Sequence, residues 1–353
     1  MRPLRQEIRF ARTADGAQIA YASSGQGYPL LRAAHWLTHL EYDLETPVHR
    51  PWLEALSTRF RLFRYDARDC GLSGPSADPT TLATLLADLK AVADASDAQR
   101  FALLGMSQGG AAAVTYAALH PERVSHLILC GAFVQGMLKR DPTPQQADAL
   151  AAMIRLVELG WGERNSAFLQ LFTSQFFPEA TLEQAQSFNE IQRRSTSPTR
   201  AARIMRGFAE LDASQYLAAV RVPTLVLHCR GDSRVPFEHG RWIASQIAGA
   251  RFEPLVSNNH VPLAGEPAFV AALDAIVRFA GSVAPGLSLE LSPRERQVLE
   301  LVARGLDNAQ ISAQLAIADK TVRNTLTRIL DKLEVETRAQ AIVKAREAGF
   351  GAG

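Results

Sequence analysis

The chain has 353 residues, 47% of them apolar and 21% charged, with a formal net charge of +2. That length suits two domains, and the composition is that of a globular protein rather than a disordered or fibrous one. A net charge this close to zero excludes a polycation that would hold nucleic acid by bulk charge alone.

No stretch of 18 or more apolar residues occurs, so no membrane partner is expected. The opening "MRPLRQEIRF" lacks the apolar core of a signal peptide, and a cytoplasmic location is expected. Cys70, Cys130 and Cys229 show no metal-ligand spacing and read as reduced, packed thiols.

Residues 6–23 read as two short strands around a turn at Asp15-Gly16. Further strands are expected at "YPLLRAA" (28–34), "FRLFRYD" (60–66), "RFALLGM" (100–106), "VSHLILC" (124–130), "PTLVLHC" (223–229) and "ARFEPLV" (250–256). Helical patterns lie between them at 48–57, 81–95, 108–119, 239–248 and 267–280. Largely apolar strands alternating with helices predict an α/β fold with an open, mostly parallel sheet and helices on both faces.

Residues 132–220 break this rhythm, with helical segments and no convincing strand. Phe133, Phe168, Phe172, Phe176, Phe177, Phe188, Phe208 and Trp161 cluster there, as a helical cap over an apolar pocket would require. The same side chains would equally fill the cap's own core. "GSVAPGLSLE" (281–290) reads as a linker between a first domain, 1–280, and a second, 291–353.

Gly105-Met106-Ser107-Gln108-Gly109 places a serine between the apolar strand "FALLG" and the helix "QGGAAAVTYAAL". A sharp strand-to-helix turn exposes such a serine at the carboxyl edge of a sheet. Its hydroxyl needs a base, and the base an orienting acid. Asp232 follows one strand in "RGDSRVP", and His260 follows another in "SNNHVPL". The order Ser107, Asp232, His260 gives a candidate triad.

With "YDARDCGLSG" (65–74), these motifs resemble the α/β-hydrolase superfamily, near its esterase, haloperoxidase-like and lactonase-like branches. The resemblance spans residues 1–280. It implies an oxyanion hole formed by the backbone N–H groups of Gln108 and Trp36. His35-Trp36 stands where many relatives have His-Gly, and Asp69 where glycine is common. His35, Trp36, Met106, Phe133, Trp161 and Phe172 are the candidate pocket residues.

Other polar residues support less. His35, His39, Glu41 and Asp43 lack the spacing of a metal site, so no metal is expected. His228 reads as a core histidine, and Arg64, Arg68 and Arg230 as partners of acids such as Asp66. No Gly-x-Gly-x-x-Gly follows the first strand of a βαβ unit and no phosphate-loop lysine occurs, so no cofactor is expected.

After residue 290 the pattern changes. Ser292, Pro293 and Glu295 form the start signal of a helix over 292–303, and Gly305 suits its end. "NAQISAQLA" gives a short helix, "IADK" a turn and "TVRNTLTRILDKL" a longer helix, with "TRAQAIVKAREA" as a fourth. Short helix, tight turn and longer helix make the helix-turn-helix plan. Lys320, Thr321, Arg323, Asn324, Thr325, Thr327 and Arg328 are placed on the polar face of the longer helix, with donors suited to phosphates and base edges.

This segment resembles the LuxR-type (GerE-type) DNA-binding domain. The resemblance implies double-stranded DNA as a partner, with Lys320, Thr321, Arg323 and Asn324 facing it. It also implies a dimerisation helix at 337–348. Thr325 stands where histidine is common, and Asp307 where serine or threonine is.

The combined reading is a ligand-responsive transcription regulator. Its hydrolase-like domain would bind a small, mostly apolar ester, lactone or amide, and a homodimer would compensate for the near-neutral tail. Two alternatives stay open: an active serine esterase or lactonase that hydrolyses its own effector while binding DNA, and a hydrolase whose helical tail docks protein.

Overall fold

The computed structural model describes residues 4–161, 167–281, 291–333, 335, 337–347 and 350–351. The expected linker at 281–290 lies outside the described residues except for Gly281. The chain divides into two compact units, one reaching Ile276 and the other starting at Val277.

The first unit opens with β1 (Gln6–Arg12), β2 (Gln18–Ser24) and β3 (Tyr28–Arg32), then α1 (Arg50–Ser57), β4 (Phe60–Tyr65) and α2 (Leu82–Ala95). β5 (Phe101–Met106), α3 (Gly109–Leu119) and β6 (Val124–Cys130) follow. Next come α4 (Pro144–Gly160), α5 (Ala167–Ser174), α6 (Leu182–Ser195) and α7 (Pro198–Glu210). β7 (Thr224–Cys229), α8 (Phe237–Gln246), β8 (Arg251–Leu255) and α9 (Pro267–Ala280) end the series, with the unit boundary falling inside α9.

Among the described residues the strands form one eight-stranded sheet in the order β1-β2-β4-β3-β5-β6-β7-β8. β1 pairs antiparallel with β2, and β2 antiparallel with β4; from β4 to β8 every neighbour is parallel. All residues of β5 and β7 are buried, which is why those strands are apolar without alternation. α3 is apolar on every side because it packs at the centre of the unit, with nine of its residues from Gly109 to Ala117 buried.

The interval 132–220 forms the helical cap. Its helices start with strong local signals: Thr143 with Gln146 and Thr181 with Gln184 form capping boxes, and Ser197 caps a helix whose first residue is Pro198. Between these helices and the sheet lies a second core containing Trp36, Trp161, Phe172, Phe176, Phe177, Phe188 and Met205. The one β interaction in this interval among the described residues is an isolated bridge, Gln135 to Asp212.

A buried charge network underpins the loops above β3 and β4. Arg64 donates to Asp43 at 3.0 Å, and Arg32 lies 3.4 Å from the same carboxylate. Arg64 therefore pairs with Asp43 rather than Asp66, while Arg68 pairs with Asp88 at 2.7 Å and Asp15 at 2.9 Å. Arg230 lies over the Phe237 ring instead.

Asp66 accepts the N–H groups of Leu40 at 3.1 Å and Leu72 at 2.9 Å. Gly71 makes this contact possible: at φ +51 it has no room for a Cβ, which would stand 2.1 Å from Asp66 Oδ2.

The second unit contains α10 (Pro293–Ala303), α11 (Asn308–Leu315), α12 (Asp319–Lys332) and α13 (Arg338–Glu347). Ser292 and Glu295 form the expected capping box, and Asp307 forms another with Gln310. Gly305 has φ +88 just after α10, and Ala316 is left-handed at φ +50 between α11 and α12. Val298, Leu299, Val302, Ile311, Val322, Ile329 and Leu333 make the core of this unit.

No helix among the described residues is long and apolar enough to cross a membrane.

Burial, reinforced by the charge of Asp43, pushes the Asp66 carboxyl up to about 7. In the unfolded chain the same group releases its proton near pH ~4. Its contribution to stability is therefore complete below about pH 4 and is lost as pH rises to about 7. Asp66→Asn cannot ionise, so its melting temperature should improve relative to wild type between pH 5 and pH 8. A difference between the two proteins that is the same at both pH values would contradict this account of the site.

Candidate functional site

Ser107 occupies the turn between β5 and α3 with φ +50, a conformation that costs a non-glycine residue roughly 1–3 kcal/mol. Its neighbours leave space only for glycine. A Cβ on Gly105 would stand 2.8 Å from Ala113 Cβ and 2.9 Å from Gly110 Cα, and one on Gly109 would stand 2.9 Å from the Ala34 carbonyl oxygen. The backbone is held by bonds from Ser107 N–H to Cys130 O and from Phe133 N–H to Ser107 O.

The loops after β7 and β8 bring the other two groups to this turn. His260 Nε2 lies 2.8 Å from Ser107 Oγ, and His260 Nδ1 lies 2.7 Å from Asp232 Oδ2. Asp232 Oδ1 accepts the N–H groups of Arg234 at 2.8 Å and Val235 at 2.9 Å. Burial works against the Asp232 anion. The charge of His260, bonds from His228 and His260, and the Val235 N–H outweigh it and hold the carboxyl down to about 2.

His228 is more than a core histidine. Its Nε2 lies 2.9 Å from Val235 O and 3.3 Å from Asp232 Oδ2, so it borders the acid of the triad.

Ser107 sits on the wall between two clefts. The first has about 530 Å³ of free space, part of it open to solvent, and is lined by His35, Trp36, Met106, Phe176, Phe177, Phe188 and Leu263 beside Ser107 and His260. The second, about 570 Å³ on the same measure, is lined by Trp36, Gln108, Phe133, Met137, Phe208, Arg140 and Arg234 beside Ser107.

Of the candidate pocket residues, His35, Trp36, Met106 and Phe133 line a cleft. Trp161 and Phe172 do not. Both are fully buried behind Trp36, with ring centroids 5.9 Å and 5.7 Å from it, and they fill the cap core. Phe176, Phe177 and Phe188 line the first cleft instead; sequence alone does not separate core from lining within one aromatic cluster.

Trp36 explains its own departure from glycine. Its indole Nε1 donates to Gln192 Oε1 at 3.0 Å, and Gln192 is fully buried on α6. The Trp161 indole donates to the Gln192 carbonyl at 3.2 Å. The loop after β3 is thereby tied to the cap. Asp69 makes a second tie: at φ +70 it pairs with Arg203 and Arg200 on α7.

His35, His39, Glu41 and Asp43 form no metal cluster, and no group of three or more potential ligands occurs among the described residues. The three cysteines are free and buried, and burial pushes the Cys130 thiol up to about 12.

In the second unit Lys320, Thr321, Arg323, Asn324, Thr327 and Arg328 are exposed on α12. Arg323 pairs with Asp319 one turn earlier at 2.8 Å. Thr325 is a correction to the expected reading face. It is 1% exposed and lies with Val322, Leu326 and Ile329 on the inward side of the helix. Glu295 holds the opposite end of α12 by pairing with Lys332 at 2.9 Å.

Residues 43–267 match the family model described as alpha/beta hydrolase fold. The chain belongs to the alpha/beta hydrolase fold family. Residues 289–345 match a second model, bacterial regulatory proteins of the luxR family, so this hydrolase-fold domain is joined to a LuxR-type helix-turn-helix domain.

An alpha/beta hydrolase superfamily protein of Bacillus subtilis, YisY, is 26% identical over 261 residues, covering 71% of this chain and 91% of YisY. The transcriptional regulatory protein DesR of the same organism is 47% identical over 60 residues, 17% of this chain and 30% of DesR. The present chain thus spans less than a third of DesR's length. An esterase of Exiguobacterium antarcticum superposes with a TM-score of 0.65 at 24% identity, covering 77% of this chain and 98% of the esterase; that likeness shows the fold.

In this hydrolase-fold chain the sequence missed Arg140 and Arg234. Arg234 lies in the "RGDSRVP" loop two residues past Asp232 and Arg140 in the interval 132–220, and only the folded chain shows that both line the cleft beside Ser107.

The burial of Thr325 has a measurable consequence. Thr325→Ala should destabilise the protein by roughly 1 kcal/mol in urea unfolding, through lost packing. Thr327→Ala, on the exposed side, should change stability by less than about 0.5 kcal/mol. Equal effects would place Thr325 on the outer face after all.

Proposed function

We propose that this protein is a serine hydrolase of a small ester, lactone or amide that also binds DNA, hydrolysing the effector that controls its own helix-turn-helix domain. The observation that carries this reading is the unbroken hydrogen-bond chain Ser107–His260–Asp232 opening onto two clefts. A site built only to hold a ligand has no need of an anionic Asp232 aligned behind His260.

The steps follow from the geometry. His260 Nε2 takes the proton from Ser107 Oγ as that oxygen attacks the scissile carbonyl. Asp232 keeps the tautomer that presents Nε2 as the acceptor and stabilises the imidazolium that forms. The N–H groups of Gln108 and Trp36 are the proposed oxyanion donors. His260 then gives the proton to the leaving group, and water releases the acyl group by the same path in reverse.

The helix-turn-helix domain and its likeness to a transcriptional regulatory protein support double-stranded DNA as the partner. In this proposal the exposed Lys320, Thr321, Arg323, Asn324 and Arg328 of α12 meet the duplex. Residues 291–353 carry nearly equal numbers of basic and acidic side chains, so one domain alone holds phosphates weakly. A homodimer, with two recognition helices on one site, supplies the missing affinity. The effector acts by binding one arrangement of the protein better than another, and its hydrolysis ends that preference.

A fluorophosphonate probe should label the wild-type protein and not Ser107→Ala, and the variant should hydrolyse p-nitrophenyl esters at least about a thousandfold more slowly. Hydrolysis that survives in Ser107→Ala would place the chemistry elsewhere, and an unlabelled, inactive wild type would leave a sensor without turnover. Replacing Lys320 and Arg323 together by alanine should weaken DNA binding and reduce its log–log salt slope by roughly 2. Undiminished affinity in that variant would remove α12 as the reading helix.

A further inference from the structure

The second cleft beside Ser107 contains two guanidinium groups, Arg140 and Arg234. Arginines in a half-buried position are ordinarily matched by carboxylates. Here neither has an ion-pair partner among the described residues. Among the described residues the Arg234 guanidinium donates to the neutral Gln175 side chain alone, at 3.4 Å. Its guanidinium is positioned by the rings of Phe176 and Phe172, 5.1 Å and 5.9 Å away.

Arg140 Nε is buried without a hydrogen-bond partner, and so is Gln108 Nε2 in the same cleft. The acid whose charge acts on both arginines is Asp232, which is already committed to His260 and to two backbone N–H groups. Burial, with the charge of Arg140 added, pulls Arg234 down to about 10, and burial lowers Arg140 as well. The charge of Arg140 also contributes, after burial, to holding His239 at about 3. His239 is thus neutral and accepts the Val134 N–H at 3.3 Å.

The geometry points to a substrate with an anionic end. We propose that the substrate carries a carboxylate, bound by Arg140 and Arg234 in one cleft beside Ser107, and an apolar group held by Phe177 and Phe188 in the other. Unpaired donors in a cleft beside the nucleophile are what a planar, bidentate carboxylate acceptor satisfies. The Arg32 guanidinium in the first cleft does not compete for this role, because Asp43 already faces it at 3.4 Å. The inference rests on the hydrolase reading for the bond that is cleaved, but not for the anion that is bound.

The test uses the full chain and matched ester pairs. Mono(4-nitrophenyl) glutarate places the carboxylate on the acyl side and is compared with 4-nitrophenyl butyrate. 4-Carboxyphenyl butyrate places it on the leaving group and is compared with phenyl butyrate. One charged ester should exceed its neutral counterpart in kcat/KM by at least about tenfold. That ratio should fall by roughly 10- to 100-fold in Arg140→Met and in Arg234→Met, mainly through KM. Arg234→Lys should restore part of it, which a purely structural role for the side chain would not do.

Neutral esters preferred throughout, or a preference that survives in the double Met variant, would overturn the proposal. A parallel titration calorimetry measurement of monomethyl glutarate on wild type and Ser107→Ala does not depend on turnover. Binding that needs both the carboxylate and the arginines sustains the proposal even where no ester is cleaved. Absence of such binding in an active hydrolase overturns the anion site alone.

Discussion

The left-handed backbone at Ser107 is the constraint on which this molecule is organised. A serine at φ +50 is unfavourable in isolation, and it persists because β5 and α3 are each buried and clamped around it. Gly105 lets β5 and α3 approach until no side chain fits between them, and Gly109 and Gly110 let α3 press against the segments after β3 and β6. The result is a hydroxyl raised at the carboxyl edge of a parallel sheet, where the loops after β7 and β8 also end. Asp232 and His260 need no special local conformation to reach it, because sheet order places β7 and β8 on that side of β5.

The cap turns an exposed edge into two clefts. Trp36 is central to this, since one side chain lines both clefts, packs on Trp161 and Phe172 and donates to Gln192 of the cap. Asp69, held at φ +70, ties the segment after β4 to α7. At both positions the side chain fastens the cap. Both clefts contain aromatic residues, but the guanidinium groups of the second have no carboxylate in its lining, whereas Arg32 in the first is paired with Asp43.

The second unit follows a different physical plan. Its helices are short and marginal alone, and the first two are defined by end signals: the Ser292–Glu295 and Asp307–Gln310 capping boxes and the left-handed Ala316 that ends α11. With charges nearly balanced overall, its capacity for an anionic partner lies in the placement of Lys320, Arg323 and Arg328 along one exposed face.

Much of this was legible in the amino-acid order. Strand periodicity, the turn chemistry around Ser107 and the capping box that starts α10 are local or nearly local signals. Each is decided by backbone sterics or by hydrogen bonds within a few residues, so sequence by itself determines them. Tertiary structure alone decided which aromatic residues line a cleft and which fill the core. Phe172 and Phe176 are four residues apart on one apolar stretch, yet only the latter faces the space beside Ser107. It also decided that Thr325 turns inward, and that Arg140 and Arg234, almost a hundred residues apart, share a cleft without an acid between them. Burial and charge pairing are properties of what surrounds a side chain, and those surroundings exist only once the chain has closed on itself.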